Sequence, residues 1–194
     1  MAENKVRFGL KNVHYAVLTE STDGTTNTYA TPVAVPGAVS LTMDSNGTDG
    51  TFYADNVAYY KTFANNGYTG ELEMARITDA MLQDVWGMTQ DQTSGVIYEK
   101  TGVQPKPFAL LFQIEGDQDE ELNLLYRVVP TSKPSAGSQT VGEKVEPVTQ
   151  TFEFEALPLV TGPASQAGLI KARTSESTPD TTKNAWFSSV LLPS

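Results

Sequence analysis

The chain has 194 residues and a formal net charge of −10, and it contains no cysteine. The absence of thiols excludes disulfides, thiol catalysis and cysteine-ligated metal centres. The deficit of lysine and arginine argues against nucleic-acid binding by neutralisation of phosphates. No apolar run is long enough to span a membrane, and the charged first residues lack the apolar stretch of a secretory signal. We therefore expect synthesis in a cytoplasm and no membrane partner.

The acidity is concentrated in the middle of the chain. Residues 21–160 hold 7 basic and 19 acidic side chains, a balance of −12, whereas each end is close to neutral. Apolar residues make up 39% of the chain, which is below the usual globular content. This composition favours one all-β domain over residues 1–194, with long polar loops. The simplest explanation of the acidity is a solvated surface that keeps the protein soluble.

The first half of the chain predicts short strands separated by turns. Residues 13–18 and 39–43 are rich in apolar and β-branched side chains, as strands are. Residues 43–50, with the sequence MDSNGTDG, predict an extended loop. Residues 57–63 predict a further strand, and 65–67, Asn-Asn-Gly, predict the tight turn that ends it.

The next strand begins at Tyr68 and is followed by one short helix. In the strand, Glu71 and Glu73 share one face, and the apolar side chains share the other. Residues 77–86 carry apolar side chains at helical spacing, Thr78 or Asp79 is a suitable N-cap, and Gly87 is a suitable stop.

The second half of the chain predicts a hairpin, a long loop and a last clear strand. Residues 108–114 and 122–129 are apolar on both faces, so we expect either that both faces are buried or that one is buried and a partner covers the other. Residues 130–147 predict an extended loop, and 148–156 alternate as a half-buried strand does. Residues 161–194 predict a C-terminal arm. The predicted fold is mainly β: a β-sandwich or partial barrel with one short flanking helix.

The sequence offers little for catalysis, a cofactor or a metal. His14 is the single histidine and lies in an apolar strand, where packing is the simpler explanation. Asp117, Asp119 and Glu121 have the spacing of a calcium loop, but Leu122 stands where that loop requires glycine. We therefore expect no enzyme, no cofactor and no metal site.

Two carboxylate pairs remain, Glu71 with Glu73 and Glu153 with Glu155. Each pair projects from one face of a strand, opposite the apolar side chains. A glycosidase would need one carboxylate from each pair at a fixed separation and an aromatic cleft, which the sequence does not indicate. Two interpretations of these glutamates remain open. They lie on a solvated outer face of the sheet, or they lie on a face that lines an enclosed space.

The two ends of the chain carry a resemblance to a known family. Residues 6–15, VRFGLKNVHY, and 184–190, NAWFSSV, resemble the major tail proteins of long, non-contractile-tailed bacteriophages of Gram-positive hosts. The order of hairpins, short helix and long polar loop is similar over nearly the full length. The resemblance implies a tail-tube subunit in the virion, assembled in the host cytoplasm. Its rings would be hexamers, with inner strands joined into one ring-wide β-barrel, stacked into a tube for DNA ejection.

The resemblance also implies partners and positions. The expected partners are other copies of the chain, the tape measure, tail terminator and distal tail proteins, and DNA as a passenger in the lumen. With six copies in a ring, we expect Glu71, Glu73, Glu153 and Glu155 to face the lumen and repel DNA phosphates. Contacts between rings are expected from the loops 43–50 and 130–147 and from the C-terminal arm. The residues assigned to them are Asp44, Asn46, Asp49, Lys133, Lys144, Trp186 and Phe187.

The alternative is a carbohydrate- or receptor-binding β-sandwich, such as a decoration protein. It explains the aromatic side chains as a platform on which sugars stack. The aromatic residues concerned are Tyr53, Tyr59, Tyr60 and Trp86.

Overall fold

The structure, a computed structural model, describes residues 5–116, 118–140 and 147–193. It is mainly β, with 48% strand and 7% helix, which confirms the predicted fold class. The strands are β1 Arg7–Glu20, β2 Asn27–Tyr29, β3 Val33–Ala34, β4 Ala38–Ala54, β5 Val57–Met74, β6 Thr89–Gln90, β7 Ile97–Tyr98, β8 Phe108–Gly116, β9 Glu121–Pro130, β10 Gln150–Ala156 and β11 Lys171–Arg173. The helices are α1 Asp79–Asp84 and α2 Asp180–Ala185.

The large sheet is antiparallel and has the order β2-β1-β8-β9-β10-β5-β4. Two short strands add to it, since β3 pairs with β1 and β11 pairs with β9. The junction between β9 and β10 is narrow: only residues 128–130 pair with 154–156. The two halves of the sheet therefore face each other across a core, as in a sandwich.

The main core lies between these halves and under α1. Phe108 and Phe112 of β8 share one apolar cluster with Leu72 of β5 and with Phe152 and Phe154 of β10. All five side chains are at most 1% exposed. Helix α1 was predicted, and of the two proposed N-cap residues it is Thr78 that caps it: the Thr78 hydroxyl accepts a hydrogen bond from the Met81 amide at 3.3 Å.

The second apolar face of β8 and β9 is covered by the chain's own C-terminal segment. Ala109, Leu111 and Leu124 form a second cluster with Trp186, whose exposure is 4%. We call residues 169–192 the C-terminal cover. The prediction that 161–194 form an extended C-terminal arm is therefore corrected over residues 169–192, which pack on the subunit's own sheet. Trp186 is a core residue of the subunit and is not an exposed contact residue. Helix α2, which lies within the cover, was not predicted.

The longest strands correct two further predictions. The segment 43–50 is not a loop but part of β4, and 65–67 is not a turn but part of β5. The turn joining these strands falls at Asp55 and Asn56, which have φ of 52° and 61°. Positive φ at both central residues is what a two-residue hairpin of type I′ requires. The turn-forming residues at 46–47 and 65–67 instead accompany a register shift, in which Gly67 has φ of +108°.

The long polar segment before β10 is irregular wherever the structure describes it, at 131–140 and 147–149. Residues 141–146 of the predicted loop lie outside the described residues. The Ser132 hydroxyl accepts from the Glu153 amide at 2.8 Å, and the Ser135 amide donates to the Thr151 carbonyl at 2.8 Å. The described first part of this loop is therefore fastened to the edge of β10.

Candidate functional site

Four glutamates lie side by side on the outward face of two neighbouring strands. Glu71 and Glu73 belong to β5, and Glu153 and Glu155 belong to β10. The antiparallel register places Glu71 directly opposite Glu153. Since residues two apart on a strand share a face, all four carboxylates occupy one surface, which we call the acidic face. On the opposite face, the apolar side chains nearest to the glutamates are buried, which confirms the predicted division of faces there; they are Leu72, Met74, Phe152, Phe154 and Ala156. Val148, predicted to share that face, precedes β10 and is 43% exposed.

The acidic face holds its charge without basic partners. Among the described residues, none of the four glutamates takes part in a salt bridge. Like charges directly opposite each other on neighbouring strands destabilise a sheet. The pairing of Glu71 with Glu153 therefore does not stabilise the isolated subunit. We look for the role of this charge in an interaction outside the subunit.

Glu73 is the member of the face with specific hydrogen bonds. Its two carboxylate oxygens accept from the hydroxyls of Thr149 at 2.5 Å and Ser40 at 2.8 Å. These bonds favour the ionised form, so the Thr149 hydroxyl, and then that of Ser40, lowers the pKa of Glu73 below its usual value of 4.5. Glu73 is fixed as an anion on the sheet surface.

A cavity among the described residues lies away from the acidic face. It has a volume of about 520 Å³, and its lining includes Arg7, Glu121, Arg173 and Lys183. Within it, the Glu121 carboxylate accepts from the guanidinium groups of Arg7 at 2.9 Å and Arg173 at 3.0 Å. Because no acidic-face glutamate lines this cavity, its geometry gives no support to the glycosidase reading.

A calcium loop and His14 were also possible functional sites in the sequence, and in the structure Glu121 of that loop and His14 both contact neighbouring residues. Glu121 of the tested calcium loop is held by two arginines, and Asp117 lies outside the described residues. In the described part of the chain, no three His, Asp or Glu side chains converge as metal ligands. His14 stacks on the half-buried Phe187 with ring centroids 4.5 Å apart, and its Nδ1 lies 2.9 Å from the Asn12 carbonyl oxygen. His14 is thus a packed side chain, as predicted.

The second candidate surface is the outer half of the β4–β5 hairpin, residues 46–66, which we call the arm. Every side chain from 48 to 66 except that of Ala54 is exposed. Five aromatic rings lie on the arm with exposures of 62% to 74%: Phe52, Tyr53, Tyr59, Tyr60 and Phe63. Exposed apolar patches of this kind mark interaction surfaces.

Sequence reasoning found this surface only in part. It selected Tyr53, Tyr59 and Tyr60 but missed Phe52 and Phe63. The available signal was the Asp-Asn pair at 55–56 between two β-rich runs, which indicates a two-residue hairpin turn. The fourth residue of the predicted sugar platform, Trp86, is 5% exposed and packs edge-on against Phe152 in the core. Trp86 therefore does not belong to the platform.

The predicted inter-ring residues lie in different parts of the fold. Three of them are exposed on β4: Asp44, Asn46 and Asp49. Lys133 is exposed and forms a salt bridge with Glu99, and Lys144 lies outside the described residues. Trp186 and Phe187 pack within the subunit.

No protein-family model matches this sequence, and no curated protein matches it. Among the described residues, neither helix has the length and apolar character needed to cross a membrane.

Proposed function

We propose that this chain is the structural subunit of a phage tail tube: hexameric rings of the chain stack into a tube that conducts genomic DNA during ejection. The observation that carries the proposal is the acidic face, a patch of four glutamates on the outward side of β5 and β10 that form no salt bridge with the described residues. The proposal assigns this face to the lumen. DNA is then a passenger and not a ligand.

The charge of the face suits rapid passage of DNA. Six copies in a ring would present twenty-four carboxylates from Glu71, Glu73, Glu153 and Glu155. Electrostatic repulsion reaches about 10 Å in roughly 0.1 M salt. This range is short, but it spans the gap between a duplex and the wall of a narrow tube. An acidic wall would keep phosphates from sticking to it.

The shape of the subunit suits assembly. A ring with a heterologous interface joins one patch to a different patch on the next copy and closes by rotation. The arm extends beyond the core with exposed aromatic rings, and β4 is a 17-residue strand at the edge of the sheet. Long unprotected edges are a risk for a monomer and an asset for a subunit that pairs with its neighbours.

Electron microscopy of the concentrated protein tests the assembly. We expect annular particles and, at higher concentration, tubes. A protein that stays monomeric at millimolar concentration would contradict the proposal, and hydrolysis of a substrate lost on changing one glutamate would support the glycosidase reading instead.

The lumen assignment has its own test in phage particles. The variant with Glu71→Lys and Glu73→Lys is expected to form tubes of normal appearance but to release its genome more slowly. Glu176→Lys, at an exposed residue of the C-terminal cover, is the control for a Glu→Lys reversal away from the acidic face, although it changes the net charge by half as much, and it should release normally. Normal release by the Glu71 and Glu73 variant would count against the lumen assignment.

A second candidate function rests on the exposed tyrosines of the arm. Tyr53, Tyr59 and Tyr60 are 62% to 74% exposed, and such rings can stack on sugars. A carbohydrate- or receptor-binding decoration protein would remain monomeric or trimeric when concentrated. It would bind glycans on an array and lose that binding when Tyr59 and Tyr60 are changed to Ala, whereas a tube subunit would show no such binding.

A further inference from the structure

The arm is a two-stranded ribbon with two unpaired edges. In β5, pairing with β10 ends at Tyr68, so residues 57–66 have β4 on one side and no described strand on the other. In β4, the outer edge is unpaired over the whole strand, as far as the structure describes the chain. Each edge presents a row of backbone N–H and C=O groups that pair with no strand in the described part of the chain.

The arm has few of the features that protect exposed strand edges. Natural sheets protect such an edge with proline, several lysines, a short strand or a β-bulge. The arm has register irregularities at its base and between Phe52 and Tyr53. Residues 46–66 contain no proline and one lysine, Lys61. A two-stranded ribbon alone is at best marginally stable in water, and this one also exposes five aromatic rings. The arm therefore has the properties of a strand pair that is completed by another chain.

The charges of the arm identify which edges fit together. Asp49 lies on β4 and Lys61 on β5, on the same face of the ribbon, with Lys61 Nζ 3.4 Å from Asp49 Oδ2. Pairing β4 with β4 of a second copy would bring Asp49 towards Asp49, and pairing β5 with β5 would bring Lys61 towards Lys61. A β4-to-β5 contact instead allows Asp49 of one copy to face Lys61 of the next across the new seam.

We propose that the arms of neighbouring copies pair edge to edge, with β4 of one arm against β5 of the next. The occupant of each arm edge is thus a second copy of this chain. The contact is heterologous, so it repeats around a ring and leaves no arm edge unpaired once the ring closes. The inference rests on the proposed ring assembly and names the seam between its subunits.

The natural absence of cysteine gives a direct test. Single-cysteine proteins carry no other thiol, so every disulfide they form joins two copies. Thr62→Cys on β5 is mixed under mild oxidation with one of three β4 variants, Thr48→Cys, Thr51→Cys or Tyr53→Cys, so that several registers are sampled. All four positions are exposed, and the variants are expected to fold. Each variant oxidised alone is the matched control.

We expect the mixed disulfide to be the main product in at least one mixture, with little dimer from either variant alone. Dimers formed mainly by the β4 variants alone, or an absence of disulfides in every mixture, would overturn the pairing. The result is separable from that of the proposed function. If electron microscopy shows rings but no mixed disulfide forms, the proposed function stands and the β4-to-β5 pairing is contradicted. If mixed disulfides form but no rings appear, the pairing stands and the tail-tube function is contradicted.

A charge exchange provides a second measurement. Asp49→Lys places like charges within the arm and across the seam, so assembly should need a roughly two- to fivefold higher protein concentration. The double variant with Asp49→Lys and Lys61→Asp restores opposite charges at both places and should restore assembly. An assembly threshold that is unchanged in the single variant, or unrestored in the double variant, would contradict the β4-to-β5 seam.

Discussion

The same two strands, β4 and β5, behave differently in the two halves of their length. In the body, the part of the subunit outside the arm, β5 lies between β4 and β10, and Leu72 and Met74 are 1% and 0% exposed. In the arm the third strand has ended, and Phe63 of the same strand is 68% exposed. Hydrogen bonding within the hairpin continues across both halves, so the difference lies in what covers the strands. Burial of apolar side chains stabilises the body half of the two strands. The arm half has no such burial and is attached to the body only at its base.

The largest expected effect comes from making the same Phe→Ala substitution in the body and in the arm and comparing the stability of the two variants. Phe154→Ala removes a fully buried ring from the main core and should lower the free energy of unfolding by about 3–5 kcal/mol. Phe63→Ala removes an exposed ring from the arm and should change it by less than about 0.5 kcal/mol. Denaturant unfolding of the monomer measures both. A large loss for Phe63→Ala would show that the arm is packed against the body in solution.

The C-terminal cover provides the next test. Trp186 is 4% exposed, and its Nε1 donates to the Asn123 carbonyl at 3.4 Å. Trp186→Ala should destabilise the isolated subunit by about 3 kcal/mol, because the second apolar face of the sheet loses its largest covering side chain. Ser189→Ala, at an exposed position of the same segment, is the control. If Trp186 served contacts between rings alone, Trp186→Ala would leave the stability of the monomer unchanged.

The junction between body and arm is the site of the third prediction. Gly67 has φ of +108°, and a Cβ there would lie 2.0 Å from the Ala156 carbonyl oxygen. Gly67→Ala should therefore cost about 2 kcal/mol or more, whereas Gly24→Ala, with φ of +71° and open space around it, should cost about 1 kcal/mol. Chemical unfolding compares the two. Equal losses would mean that the arm can shift at its base to admit a side chain.

Local patterns in the sequence were sufficient for much of the body. The alternation in 148–156 and in the strand from Tyr68 predicted the acidic face, and a cap at Thr78 or Asp79 with helical spacing predicted α1. Both depend on residues a few positions apart. The cover was not predictable in the same way, because Trp186 packs on strands more than sixty positions earlier in the chain. Apolar character on both faces of 108–114 indicated that a cover exists but not which segment supplies it.

The arm was missed for a different reason. Asn46-Gly47 and Asn66-Gly67 are turn-forming pairs, and local rules assign them to turns. In the structure they accompany the register shift at the base of the hairpin, whereas Asp55 and Asn56 make the turn. The position of the hairpin turn depends on where β10 ends and on the register between β4 and β5. Neither of these can be predicted from a few neighbouring residues.

The fourth prediction concerns the opposed carboxylates. Glu71→Gln removes one of two like charges that face each other across β5 and β10, so the unfolding midpoint should rise slightly at low salt. Added salt screens the repulsion and should shrink the gain. Glu176→Gln, away from the acidic face, is the matched control. A fall in the midpoint for Glu71→Gln would show that the carboxylate stabilises the subunit itself, which would weaken the argument for a role in the lumen.

The smallest effect is expected at Glu73, whose charge is held by the body rather than by the arm. NMR titration should place its midpoint below the usual 4.5, because Thr149 and Ser40 donate to the ionised form. A pKa lowered by folding adds stability above the unfolded value, and this contribution is lost as the pH falls through the folded pKa. The double variant with Ser40→Ala and Thr149→Ala should therefore be less stable than the natural protein at neutral pH and equal to it in acid.

The control is Thr42→Ala, which removes a hydroxyl of β4 that does not donate to Glu73. This variant should leave the titration midpoint of Glu73 unchanged. An unmoved Glu73 midpoint in the double variant would assign the lowered pKa to some cause other than these two hydroxyls.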